Sequence, residues 1–170
     1  DLVGSAKRIM ALFPEKTKFA YLCHTYTYQC HHHRIMAGMS ELKKLGVKIV
    51  NWGGLAYDIW KGNVAVPGGK LKYNKDSFVV NKHDWHHQNM LSGYICSLMA
   101  YCAVTGKSAV GQPYGFCNNT DLNPKFSATA YMDSYYVEGT SNLDAVFASK
   151  EDMHGIQVLI DEYIKKYNCF

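Results

Sequence analysis

A short β-prone run, a segment with helical spacing and a second β-prone run follow one another between positions 17 and 52, and this alternation limits the available folds more than any other feature. Residues 17–23 are rich in β-formers and bounded by turn residues. From Arg34 to Leu45 the apolar residues Ile35, Met39, Leu42 and Leu45 recur at helical spacing, and Gly46 is placed to stop the helix. Residues 47–52 read as the second strand, ending in Gly53-Gly54, with a short helix over 55–60. Two strands joined by a helix pair most economically in parallel, which predicts an α/β fold. Ahead of them, Val3, Ala6, Ile9, Met10 and Phe13 share one face of a helix over 3–13 that Pro14 ends.

A chain of 170 residues with 48% hydrophobic content suits one packed domain. Its net charge of +4 comes from scattered lysines and arginines, so the basic footprint of a nucleic-acid binder is missing. No apolar run reaches the ~18–20 residues of a membrane span, and Asp1-Leu2-Val3-Gly4 lacks the profile of a signal peptide. The six cysteines include no Cys-x-x-Cys pair, which argues against a zinc knuckle, while their even number leaves the redox compartment open. Cys96 and Cys102 fall in a helical stretch, where six residues turn by about 600° and leave the side chains ~120° apart. They are therefore not expected to bond to each other, and Cys23 with Cys30 is the one local pair able to do so.

Residues 61–76 carry neither period and contain Pro67-Gly68-Gly69, so they read as a surface loop. Residues 77–80 form a short apolar strand, followed by the polar cluster 81–87 and an apolar helix over 89–105 closed by Gly106. The cluster would then lie at the carboxyl end of a strand, the edge where open α/β sheets bind ligands. Beyond Gly106 the chain is loop-rich and aromatic to about Thr140, and residues 151–167 form a terminal helix with Ser149 as its N-cap.

Seven of the eight histidines fall into two groups, His24 with His31, His32 and His33, and His83 with His86 and His87. The first group, with Cys23 and Cys30, offers zinc ligands, although three consecutive histidines diverge on any regular backbone and a solvated loop explains them as well. The second could hold a metal through His83, Asp84 and His86 or His87. It has a stronger reading in Asp84-Trp85-His86-His87, an Asp three residues ahead of a His. A hydrolase uses such a pair directly: the His takes a proton from a serine and the Asp fixes the imidazole tautomer and stabilises the imidazolium. The bland alternative is that Asp84 caps the coming helix and the histidines are surface groups.

The run from Ser77 to Cys117, with Phe78-Val79-Val80, Asp84-Trp85-His86-His87, Leu91-Ser92-Gly93-Tyr94-Ile95 and residues 100–106, resembles the closing block of SGNH hydrolases, and most closely bacterial SGNH-like proteins of undefined function. The layout upstream, with Gly46-Val47-Lys48-Ile49-Val50, is similar to that family's middle, so the resemblance spans residues 1–117. It implies a flavodoxin-like three-layer α/β/α fold with a parallel sheet, incomplete in this chain, acting on esters without a cofactor or metal. Asp84 and His87 would be the acid and base of a triad. Where the family has Pro-Ser after the His, this chain has Gln88-Asn89 and a longer interval to the glycine, which leaves His86 as a rival base. The family's Gly-Asp-Ser nucleophile block and its Gly-x-Asn-Asp block are absent from the 170 residues, and Ser5 lies inside a predicted helix with no strand before it.

On this reading residues 1–106 are the carboxyl-terminal part of an SGNH-like domain, and residues 107–170 an aromatic, loop-rich extension ending in a helix packed on it. A parallel sheet without its first strands would expose an apolar edge. The expected partners are therefore the chain's own amino-terminal half or a second chain completing the sheet, and a small ester or carbohydrate ester as substrate, in an extracellular or periplasmic setting. The competing reading is a non-catalytic binding or assembly protein that keeps the fold, which the Tyr-rich segment 114–136 suits.

Overall fold

The computed structural model describes residues 1–23, 32–70, 72–81, 84–88, 90–114 and 150–167. The elements in chain order are α1 (Leu2–Met10), β1 (Ala20–Leu22), α2 (His32–Lys44), β2 (Lys48–Val50), α3 (Trp52–Lys61), a 3₁₀ turn (Lys75–Phe78), β3 (Val79–Asn81), β4 (Asp84–Gln88), α4 (Met90–Thr105) and α5 (Lys150–Tyr167). The fold is mixed α/β and mostly helical, with β1 and β2 paired in parallel as the alternation predicts. Their register matches Tyr21 to Ile49 and Leu22 to Val50.

Local chemistry explains most boundaries. Asp1 caps α1, its carboxylate accepting from the Val3 N–H at 3.0 Å, which satisfies a donor that the first turn leaves free. Gly46 and Gly106, the predicted stops of α2 and α4, have φ of 79° and 71°, the left-handed conformation that closes a helix. Helix α3 starts earlier than its apolar spacing suggests. Asn51 Oδ1 accepts from the Gly54 N–H at 3.1 Å, so the Gly53-Gly54 pair forms the first turn of a helix instead of a turn after the strand.

The two faces of β2 feed two cores, because successive residues of a strand point to opposite sides. Val50 joins the larger core with Trp52, Leu55 and Ile59 of α3, Leu91, Ile95, Met99 and Cys102 of α4, and Met153, Ile156, Ile160 and Ile164 of α5. Each aliphatic side chain buried there contributes about 1.5–3 kcal/mol relative to exposure. Ile49 and Val47 point the other way, to a smaller core with Cys23, Met39 and Leu42, against which Ala6 and Met10 of α1 rest.

One expectation about the sheet is corrected. Strand β3 pairs antiparallel with β4, not with the parallel pair, and the two sheets have two strands each among the described residues. Only two positions separate β3 from β4, far fewer than the dozen or more residues a parallel crossover takes, so a hairpin is the one pairing open to them. Most of the polar cluster therefore lies within β4 and not in a loop between strand and helix.

Candidate functional site

The backbone brings Asp84, His86 and His87 onto β4, and α4 begins at Met90, two positions after the strand ends. Their side chains lie outside the described part of the structure, as do His83, His24, His31 and the side chains of His32 and His33. Cys30, Cys117, Cys169 and Ser149 also lie outside the described residues. Among the described residues no group of three or more His, Cys, Asp or Glu side chains is arranged to hold a metal.

What fixes the hairpin is visible. Ser92, fully buried in the first turn of α4, donates its Oγ–H to the Phe78 carbonyl at 2.6 Å, tying the start of the helix to the residue that enters β3. Phe78 is buried and stacks on Tyr73, with ring centroids 5.8 Å apart and planes at 28°. Two residues of α4, Leu91 and Ile95, close the space beneath with no exposure at all. Strand β3 is thus fastened at its base to α4, and β4, which carries the Asp and the histidines, is held through its pairing with β3.

Two serines, one on α4 and one on α1, can be judged as nucleophiles. Ser92 is buried and its proton is already given to a carbonyl, so it is a structural group. Ser5 accepts from Arg8 Nη2 at 3.0 Å and lines an apolar groove with Leu2, Ile9, Met10 and Phe19. No described histidine lies in that groove to take its proton. The thiols are no better placed. Burial, with the Asp161 carboxylate adding to it, pushes the Cys102 thiol up to about 11, and burial raises Cys96 as well. Both lie on α4 as free cysteines, on one continuous helix as their spacing predicts. Buried Cys23 donates its Sγ–H to Met39 Sδ.

The polar residues that the sequence reading missed are the anchors along α5. Fully buried Asp152 accepts from the Lys70 N–H at 3.1 Å and from the Tyr73 hydroxyl at 3.2 Å, which holds the 62–73 loop. Burial raises the Tyr73 phenol well above its ordinary value, and the charge of Asp152 adds to the effect. Gln157 accepts from the Gly111 N–H and donates its amide to the Tyr94 hydroxyl and the Gln112 carbonyl. Asp161 accepts from the Ala109 N–H at 2.7 Å, and Tyr163 donates to Asp58. In sequence, Asp152 reads only as a first-turn acid favoured by the helix dipole, and nothing local reveals that its partners lie about eighty residues upstream.

No family model matches the chain, and no curated protein or solved structure matches it. No helix among the described residues is long and apolar enough to cross a membrane.

Proposed function

We propose that the chain is the part of an SGNH-like ester hydrolase that carries the acid and base of a Ser-His-Asp triad, the serine being supplied by polypeptide outside these 170 residues. The observation that carries this reading is the Asp84-Trp85-His86-His87 run on β4, whose hairpin partner β3 is anchored to the first turn of α4 through Phe78 and Ser92. A strand held in this way suits a general base, since an imidazole must be presented within about 2.6–3.2 Å of the proton it takes. The parallel β1–α2–β2 unit, with helices packed against both faces of β2, suits the flavodoxin-like three-layer fold that the reading requires.

In the proposed reaction His87 removes the serine proton as the oxygen attacks the ester carbonyl, and Asp84 orients the imidazole and stabilises its cation. His86 is the rival base. The strand pleat repeats every two residues, so positions 84 and 86 are in phase along β4 while 84 and 87 are not. Carbohydrate acetyl esters are the substrate class we favour.

The test uses a fluorophosphonate probe and an activated acetyl ester. The chain alone should leave both untouched, because a base without its nucleophile gives an ester only weak help through water. Co-expression with the polypeptide encoded directly ahead of Asp1 should restore labelling on a serine of that polypeptide. His87→Ala should then abolish labelling and His86→Ala spare it; the reverse pattern assigns the base to His86. Labelling of Ser5 in the chain alone, or no Gly-Asp-Ser block in the upstream polypeptide, would overturn the proposal.

A further inference from the structure

We infer that the outer edge of β1 is a docking site for an extended polypeptide strand, uncharged and apolar at alternate positions. This deepens the hydrolase reading, which expects a further strand to complete the sheet, but it is tested by backbone protection and not by esterase activity, so the two can fail separately.

In a parallel ladder, alternate residues of a strand turn their N–H and C=O groups to opposite sides. The Phe19 carbonyl accepts from the Lys48 N–H at 2.9 Å and the Cys23 N–H donates to the Val50 carbonyl at 3.0 Å. With Tyr21 in register with Ile49, positions 19, 21 and 23 therefore face β2. Ala20 and Leu22 turn their backbone groups to the other side, where no described strand meets them. Both residues are exposed, Leu22 by 49%.

The edge is flanked by a groove of about 260 Å³ between α1 and β1, walled by Ile9 and Met10 on one side, Phe19 and Tyr21 on the other, with Leu42 at its base. No charged side chain lines it. Together these features specify the occupant. Free donors and acceptors along a strand edge are matched by another extended backbone, whereas a helix has already spent its own groups internally. Side chains of an added strand alternate between faces, so every second one would enter the groove, and its lining favours apolar ones. The added strand continues the ladder that β1 and β2 have begun, and it covers the kind of edge that sheet proteins otherwise blunt or hide.

The experiment uses the full chain labelled with ¹⁵N and a capped, uncharged peptide of alternating Val and Thr. Saturating peptide should slow amide exchange at Ala20 and Leu22 by about tenfold, one backbone hydrogen bond's worth, and leave Tyr21 unchanged. Leu22→Pro removes only an outward-facing N–H, so peptide affinity should drop about tenfold while exchange at Tyr21 reports an intact β1–β2 ladder. Ile9→Asp, on the exposed wall of the groove, is a second variant that keeps the strand untouched and should weaken the peptide likewise. No protection by peptide, affinity in both variants unchanged from that of the native chain, or protection that grows with protein concentration alone would overturn the inference, the last by showing that a second copy occupies the edge.

Discussion

The two sides of β2 are covered in opposite ways. On one side α3, α4 and α5 enclose a large core, and every turn of α5 up to Tyr163 adds either a buried apolar residue or a buried polar anchor to a distant loop. On the other side α1 has no buried residue, and Ile9, Leu12 and Phe13 are 52%, 81% and 51% exposed. The contrast shows that amphipathic spacing, which α1 and α5 share, does not by itself decide burial. What distinguishes α5 is that polar groups along it find backbone partners, so the loops beside it are held down and the apolar residues beneath stay dry.

The largest effect that would break this comparison is a deletion in the core. Ile156→Ala should cost about 2–5 kcal/mol in urea unfolding, and Leu42→Ala in the smaller core should fall at the low end of the same range, because thinner surroundings relax more easily. Equal losses would mean that the two sides are one cooperative core. Next in size is Gly155→Ala, whose new Cβ would stand 2.3 Å from the Pro67 carbonyl oxygen, a backbone atom. That clash should cost about 1–3 kcal/mol and raise exchange in the 66–70 loop before the rest of the molecule.

A pH series sharpens the same contrast. The Cys102 thiol is raised from its ordinary value of 9.0 to about 11, so the folded chain holds its proton where the unfolded chain releases it. The stabilisation is fully present below pH about 9 and is lost as pH rises toward about 11. Denaturant midpoints should fall across that window in the native chain and fall less in Cys102→Ala. The smallest effect is expected at Leu12→Ser, within about 0.5 kcal/mol, since its side chain is already in water. A larger loss measured by thermal unfolding would show that the turn after α1 is more tightly held than its exposure indicates.

Helices were the most legible elements, because their apolar spacing and glycine stops are local signals: α2, α4 and α5 lie within two residues of their predicted bounds at each end. Strand β4 was hidden, since Asp84, His86, His87 and Gln88 carry no β-forming pattern and only the hairpin with β3 makes that stretch a strand. The residue types of the candidate site were readable from Asp84-Trp85-His86-His87, but spacing alone could not say that their backbone is extended. Nor could it reveal Ser92 as the tie to Phe78, because that bond depends on how α4 meets the 3₁₀ turn.

The reach of the α5 anchors has a consequence for how the molecule is made. Asp152 binds a loop 82 residues earlier, Gln157 a tyrosine 63 earlier, and Tyr163 an aspartate 105 earlier. Loops this long close slowly, and until α5 is present the apolar residues of α3 and α4 that meet it lack the cover of Met153, Ile156 and Ile160. On the ribosome the segment ahead of Lys150 therefore emerges with this part of its core unfinished, and consolidation waits for the synthesis of α5. A ribosome stalled just before Lys150 should hold a chain that proteases cut in the 62–73 loop, and one stalled well after Tyr167 should not.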